Sequence, residues 1–311
     1  MSSVDTSFRA LGTTVRLMLG GRDAPAAAQD ARAWLERFDA CASRFRPGSE
    51  LRALNADARA TVPVSPLLCA TVGAGIWAAH RTGGLVDPSL LDAVEACGYT
   101  RSWDPARALD PRAALAAAPA RQPAAAHPAA AWRAVRCDPA ALTVTRPPGL
   151  RLDSGGTGKG LAADVLAQRV GARRAVVDVG GDIALVRPPG DEAPFEILVA
   201  HPFGGATAAV LQLDRGGVAT SGLGARIWAG TRGPAHHLFD PSTGRPAWTG
   251  LASVTALAPS ALEAEVLAKA ALLSGRDGAG AWLAQHGGVV VHDDGAVELA
   301  GPLSTSTALA A

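Results

Sequence analysis

The chain is short of tyrosine, lysine, clustered cysteine and long apolar runs. Aromatic residues make up only 5% of its 311 residues, with one tyrosine, Tyr99, which argues against a base-stacking platform. The four cysteines, Cys41, Cys69, Cys97 and Cys137, are dispersed, with no C-x-x-C and no histidine at zinc-finger spacing. Buried free thiols in a reducing compartment are the expectation. No stretch approaches the roughly 18 apolar residues of a membrane span. The opening residues Met-Ser-Ser-Val-Asp-Thr carry neither the basic nor the apolar region of an export signal, so a cytoplasmic, non-spanning protein is expected. A net charge of +1 provides no basic field of the kind a nucleic-acid binder uses.

The lysine shortage is selective. Of 29 basic residues only Lys159 and Lys269 are lysine; the rest are arginine. With abundant alanine, this is the drift of a GC-rich coding sequence, in which arginine fills generic solvated positions. A lysine retained against that drift points to a site that needs a compact ammonium instead of a planar guanidinium.

Hydrophobic residues at 48% and charged residues at 18% describe a globular chain long enough for one large domain or two small ones. Residues 7–19 alternate as a strand or hairpin arm. Helical spacing marks 24–45, closed by Arg46-Pro47-Gly48, then 66–82, closed by Gly83-Gly84, and a short helix after Asp87-Pro88 capped by Asp87 or Ser89. Residues 104–131 are Ala/Pro/Arg-rich and read as an insertion holding one short helix at 111–118 and then a solvated loop. Strands are predicted at 132–136, 142–146, 150–153, 174–179, 182–187, 195–200, 208–213, 217–221, 235–239, 251–257, 288–292 and 296–299. Helices are predicted at 158–171, 260–274 and 277–286. Short connections imply antiparallel pairing, hence an α+β fold of largely antiparallel sheets with flanking helices. The reading is one domain over 1–311 with the insertion inside it.

Five segments could carry chemistry. Asp153-Ser154-Gly155-Gly156-Thr157-Gly158-Lys159-Gly160 lies between a strand and a helix. Its amides and the helix dipole suit an anion, although a tight turn explains it equally; Asp153 and Gly160 stand where a Walker motif needs Gly and Ser/Thr. Asp178-Val179-Gly180-Gly181-Asp182 is either a hairpin turn or part of a site. Thr220 and Ser221 end a strand with two hydroxyls able to bond a phosphate. His237, three residues before Asp240-Pro241, is either a general base or a structural histidine. Ser260 and Glu263 form a capping box, and Glu265 and Lys269 share a face one turn apart, which by itself describes an exposed ion pair.

In this order the segments resemble the FAD:protein FMN transferases, the ApbE-like family. The resemblance runs from Phe8 to about Leu273. It rests on Leu11-Gly12-Thr13-Thr14, on Phe45-Arg46-Pro47-Gly48-Ser49-Glu50-Leu51 with Asn55, and on Gly84-Leu85-Val86-Asp87-Pro88. It continues through the Asp153–Gly160 loop, Gly180-Gly181-Asp182, Ala219-Thr220-Ser221-Gly222 and His237-x-x-Asp240-Pro241-x-x-Gly244.

The resemblance implies an α+β fold of the T-fold-related kind with a central FAD cleft. It also implies transfer of FMN from FAD, through a phosphoester bond, to a Ser or Thr hydroxyl of an acceptor flavoprotein or redox subunit, with release of AMP. Carried over position by position, Leu11, Phe45, Leu85, Val86, Asp87, Asp153, Lys159 and Leu238 contact FAD, as do Thr220 and Ser221. The Gly156 carbonyl contacts Mg²⁺, and His237 is the base. The family's late helix supplies Asp and Thr as metal ligands; Glu265 and Lys269 stand there in this chain, and a charged lysine cannot ligate. The expectation is that the Lys269 ammonium, held by Glu265, takes part of the cation's role. Leu223-Gly224 also replaces a common Asp-Tyr. Two other readings are an FAD-binding protein without transfer and an FAD pyrophosphatase.

Overall fold

The computed structural model describes residues 3–171, 173–205, 207–224, 226–230, 233–303 and 308–309. Its centre is an eight-stranded sheet. The strands are β1 (Ser3–Ala10), β2 (Thr13–Gly20), β3 (Ala175–Val179), β4 (Asp182–Val186), β5 (Gly216–Gly222), β6 (Leu251–Ala258), β7 (Gly288–His292) and β8 (Val297–Ala300). They lie in chain order and every neighbouring pair is antiparallel, three pairs through the short connections expected and four across long insertions. The sheet is thus a meander, and everything else is inserted between its strands.

Two helices lie across one face of the sheet: α6 (Gly158–Arg169) against β3 and β4, and α7 (Ala261–Leu283) against β5 and β6. On the other face, the hairpin Phe195–Ala200/Thr207–Leu213 packs Phe195, Ile197, Val199 and Leu211 against Leu185, Val218, Leu257 and Val291. β6 is therefore covered on both sides, and all of its residues are buried. β2 instead buries only Val15, Leu17 and Leu19, the alternate positions facing α6 and α1 (Ala24–Ala42).

Before α6 come α1, α2 (Glu50–Ala56), α3 (Pro66–Arg81), α4 (Leu91–Ala96) and α5 (Pro111–Ala116). α1 buries Ala24, Ala28, Ala31, Trp34, Leu35, Phe38 and Ala42 at helical spacing. α2 was not expected; Ser49 caps it by accepting from the Arg52 amide, a signal hidden next to the Pro-Gly turn. α4 starts at Leu91 without a side-chain cap, because Asp87 accepts from the Ser89 amide and hydroxyl instead.

Three expectations are corrected. Residues 132–135 are not a strand, which starts only at Arg136: a 3₁₀ turn spans Ala131–Ala134, and Trp132 and Val135 are buried three residues apart, a helical spacing and not a pleated one. Residues 150–153 do not pair as a strand. The Asn55 amide bonds both the N–H and the C=O of Leu152, 2.8 Å each, and the Asp153 amide donates to Pro88, so a side chain takes the place of a neighbouring strand. The four cysteines are not all free thiols: Cys69 on α3 and Cys137, 68 residues apart, are joined in a disulfide with Cα atoms 6.0 Å apart.

The second half of the insertion at 104–131 is mostly exposed, as expected of a solvated loop, but hydrogen bonds tie it to the rest of the domain. The Gln122 amide donates to Trp248, and the Ala124 amide donates to Leu273 at 2.8 Å. That last bond has a cause in α7, where Gly275 takes a left-handed φ of 73° and breaks the helix in two. The carbonyls left without a helical partner are met from outside, Leu272 by the Thr249 hydroxyl at 2.7 Å and Leu273 by Ala124.

α6 and α7 cross at Gly160, where an added Cβ would lie 2.7 Å from backbone atoms of Ala261 and Leu262. Gly160→Ala is expected to lose about 1–3 kcal/mol by forcing the helices apart. Gly73, inside α3 with open space around it, is the control. Gly73→Ala should be neutral or gain up to about 1 kcal/mol. Urea unfolding of the two variants reads both.

Candidate functional site

A cavity of about 360 Å³ opens between the hairpin turn of β1–β2, the α1–α2 connection, the segment before α4, the loop into α6, and the bend at His237–Leu238, which interrupts the strand expected over 235–239. Leu11, Phe45, Leu85, Val86, Asp87, Asp153, Gly156, Lys159, His237, Leu238 and Lys269 all line it. Thr220 and Ser221 are not among its lining residues. Thr220 is exposed on β5 and shares a hydrogen bond with Thr255 at 2.8 Å, while Ser221 is buried in the strand. Glu265 lies behind the wall instead of in it.

Each wall is held by a local device. Leu11 and Gly12 form the β1–β2 turn with φ of 52° and 69°, so a leucine is held in the left-handed region at the rim. Asn55 fixes the approach to Asp153, and the Ser154 hydroxyl donates to the Ala42 carbonyl at 2.7 Å, tying the glycine loop to the end of α1. Gly180 and Gly181, both at positive φ, turn β3 into β4 and deliver Asp182 to the base of α6.

The aromatic shortage proves local. Phe45, Tyr99, Trp103 and Trp228 gather in one cluster, with Phe45 and Tyr99 centroids 5.4 Å apart and Tyr99 and Trp228 5.3 Å apart. The first three line the cavity. Arg44 lies over Phe45 and Tyr99 at 4.1 and 4.5 Å, and its Nε is 3.5 Å from Asp153. A planar ring system has a stacking surface here that the chain-wide average conceals. Arg44, Tyr99, Trp103 and Arg226 were missed from the sequence; Arg44 had a signal, standing directly before the Phe45 motif.

The polar end is built on α6 and α7. Glu265 accepts from the Gly160 amide through Oε2 at 2.9 Å and from Lys269 through Oε1 at 2.9 Å, with the Lys159 Nζ 3.7 Å from the same Oε1. Lys159 also donates to Asp182. Both of the chain's lysines therefore meet at one carboxylate. The Glu265–Lys269 pair is buried, not the solvent-facing pair its spacing alone describes. Glu265 and Asp182 are 1% exposed, whereas Lys159 and Lys269 keep 19% and 12% of their side chains open.

Burial raises the Asp182 carboxyl to about 7, with Glu265 adding to the shift and Lys159 opposing it. Burial also acts to raise Glu265, but Lys269 and Lys159 outweigh it and hold the carboxyl below its ordinary value. For Lys159, desolvation is overcome by Asp182 and Glu265, and its ammonium is stabilised.

His237 is held well below its ordinary value by burial, then by Arg226, His236, Lys269 and Lys159. It is therefore a neutral imidazole at neutral pH, and its Nδ1 has no partner among the described residues. The neighbouring His236 faces away: it is fully buried, accepts from the Leu238 amide through Nδ1 at 3.2 Å, and meets Trp248 edge-on at 4.6 Å. Asp240 sets the turn that follows, accepting from Ser242 and Thr243 and from the Ala125 amide at 3.0 Å. The insertion thereby buttresses the turn that follows the His237 bend.

The ApbE family model matches residues 11–291. The chain is 30% identical over 291 residues to the FAD:protein FMN transferase of Treponema pallidum, covering 85% of this chain and 75% of that one. It is 28% identical over 267 residues to the Klebsiella pneumoniae protein of the same name, covering 83% and 74%. Its fold is similar to the ApbE protein of Thermotoga maritima, with a TM-score of 0.78 and 26% identity over 96% of this chain and 97% of that one. It is also similar to the flavin transferase ApbE of Vibrio cholerae, with a TM-score of 0.74 and 22% identity over 96% and 97%.

Burial pushes His236 down to about 3. The unfolded chain takes up that proton near pH 6.5 and the folded chain does not, so stability is full above 6.5 and is lost as pH falls toward 3. The loss approaches about 1.4 kcal/mol per pH unit from this residue. Urea unfolding at stepped pH should show the slope, and His236→Asn should remove that share of it.

Proposed function

The chain belongs to the ApbE family, and from that premise we propose that it moves FMN from FAD to a Ser or Thr hydroxyl of an acceptor flavoprotein, releasing AMP. The observation that carries the reading is the meeting, in one cavity, of an unpartnered neutral His237 with the Lys159–Lys269 pair and the glycine loop at the start of α6. Residues 1–311 act as one unit in this reading, since strands from both ends of the chain share the central sheet.

FAD is the substrate. Leu11, Phe45, Leu85, Val86, Asp87, Asp153 and Leu238 form its binding surface, together with Tyr99, Trp103 and Arg44. Lys159 and Lys269, with Arg226, face its pyrophosphate. Thr220 and Ser221 stay outside the contact set and serve β5 instead.

The acceptor hydroxyl gives its proton to His237 as its oxygen bonds to the FMN phosphorus. The P–O bond to AMP breaks, and AMP leaves with the bonding pair. Such a transfer depends on position and on neutralising charge, since the leaving phosphate gains negative charge as the bond breaks. The lysines and Arg226 supply that neutralisation, and burial, aided by the same cations, keeps His237 unprotonated and able to accept.

No step is assigned to Mg²⁺. The residues at the family's ligand positions do not fit it. Lys269 is a cation, and both Glu265 oxygens already accept hydrogen bonds.

Incubation with FAD and a candidate acceptor, followed by acceptor mass measurement, should show an FMN adduct and free AMP. Free FMN with AMP would indicate hydrolysis instead, and unchanged FAD would indicate binding only. His237→Ala should retain FAD binding and lose transfer by about 10²–10⁴-fold. The acid limb of the wild-type transfer rate should fall below the ordinary histidine range, because the neutral form persists to lower pH.

A further inference from the structure

The two lysines deepen the transferase reading, on which this inference rests. Lysine is nearly absent from the chain, yet both copies place their Nζ atoms at Glu265 Oε1, 2.9 Å from Lys269 and 3.7 Å from Lys159. They come from different helices, α6 and α7, so sequence proximity does not explain the convergence. The carboxylates Asp182 and Glu265 are 1% exposed and lie behind, while the ammonium groups line the cavity. The two ammonium groups and two carboxylates form one linked set, with Asp182 Oδ1 left without a partner among the described residues.

We infer that this set replaces the divalent cation of the flavin transferase site, so that the chain binds and cleaves its FAD pyrophosphate without a bound metal ion, Lys269 acting as the resident cation. Three features lead there. The Lys269 ammonium has no lone pair with which to ligate. Glu265 holds Lys269 at one oxygen and, at the other, the Gly160 amide that fixes it to α6, so a metal ion there would have to share an oxygen with one of them. A dication beside Glu265 would also stand next to two ammonium groups in a partly desolvated pocket, where like charges repel strongly. An ammonium donates hydrogen bonds to phosphate oxygens directly, and being part of α7 it is present before the substrate arrives. It offsets the charge that AMP takes with the bonding pair when the P–O bond to AMP breaks.

The test is titration of the whole chain with FAD, followed by flavin fluorescence, in metal-free buffer with EDTA and again in excess Mg²⁺. The expected result is the same Kd within about twofold, and AMP release at the same rate under both conditions. Titration with Mn²⁺, followed by its spin resonance, should show no stoichiometric site in the wild type. Lys269→Thr should lose about tenfold or more in FAD affinity in EDTA, recover it with Mg²⁺, and gain one Mn²⁺ site.

A wild type that binds FAD about tenfold or more tightly with Mg²⁺, or takes up one Mn²⁺ per chain, overturns the inference and leaves the transferase reading standing. No FAD binding under either condition overturns both. Should Lys269→Thr not fold, the wild-type titrations decide alone.

Discussion

Helices α6 and α7 cap each other's first turns where they cross beneath the cavity. Asp164 of α6 accepts from the first two amides of α7, Ala261 at 2.7 Å and Leu262 at 2.9 Å, and Glu265 of α7 accepts from the Gly160 amide of α6. Each carboxylate satisfies N–H groups that the partner helix cannot satisfy itself, and each sits at the positive end of that helix's dipole. The absence of a side chain at Gly160 allows the approach. Much of the functional surface depends on this crossing. It starts α6 directly after the glycine loop, brings Lys159 over Asp182, and turns Lys269 toward the same wall of the cavity. Removing one member of the buried charge set would leave its partner unpaired at a cost of about 3–5 kcal/mol, so the arrangement is fixed as a unit.

The cavity built on that crossing has two chemically distinct parts. Arg44 and the mutually tilted Phe45, Tyr99 and Trp103 rings make an aromatic, cation-backed wall, and the lysines with Arg226 and His237 make a positive, partly desolvated corner. A ligand with a planar ring and a bridging diphosphate matches both parts at once. Burial first, and then the cations that attract an anion, keep His237 neutral, so those cations serve both anion binding and proton acceptance. The insertion supports this corner from outside: it bonds the Asp240 turn and the broken segment of α7, so a stretch with the composition of a loop buttresses two site elements.

The order of motifs along the chain was enough to locate most of the wall. Leu11, Phe45, Asp153, Lys159 and His237 stand in segments with turn or helix-start signals, because a site held by loops on a rigid frame leaves glycines and caps in the sequence. The residues that escaped had no such mark. Trp103 and Arg226 lie in stretches without a motif and enter the cavity only through long-range packing. Thr220 and Ser221 erred the other way. Their hydroxyls read as phosphate ligands, but Thr220 bonds Thr255 across to β6 and Ser221 is buried within the strand.

Alternation, caps and glycine turns by themselves determined the α+β class, the tight antiparallel hairpins of the main sheet and the position of nearly every helix, since each follows from neighbours a few residues apart. They also singled out the two lysines as exceptions to the chain's arginine habit. Only the tertiary structure decided that both lysines meet on one buried carboxylate, that four scarce aromatics share one cluster, and that Cys69 finds Cys137. Those are contacts between segments tens to more than a hundred residues apart. No local propensity encodes them; the helix crossing and the strand register fix them once the core has closed.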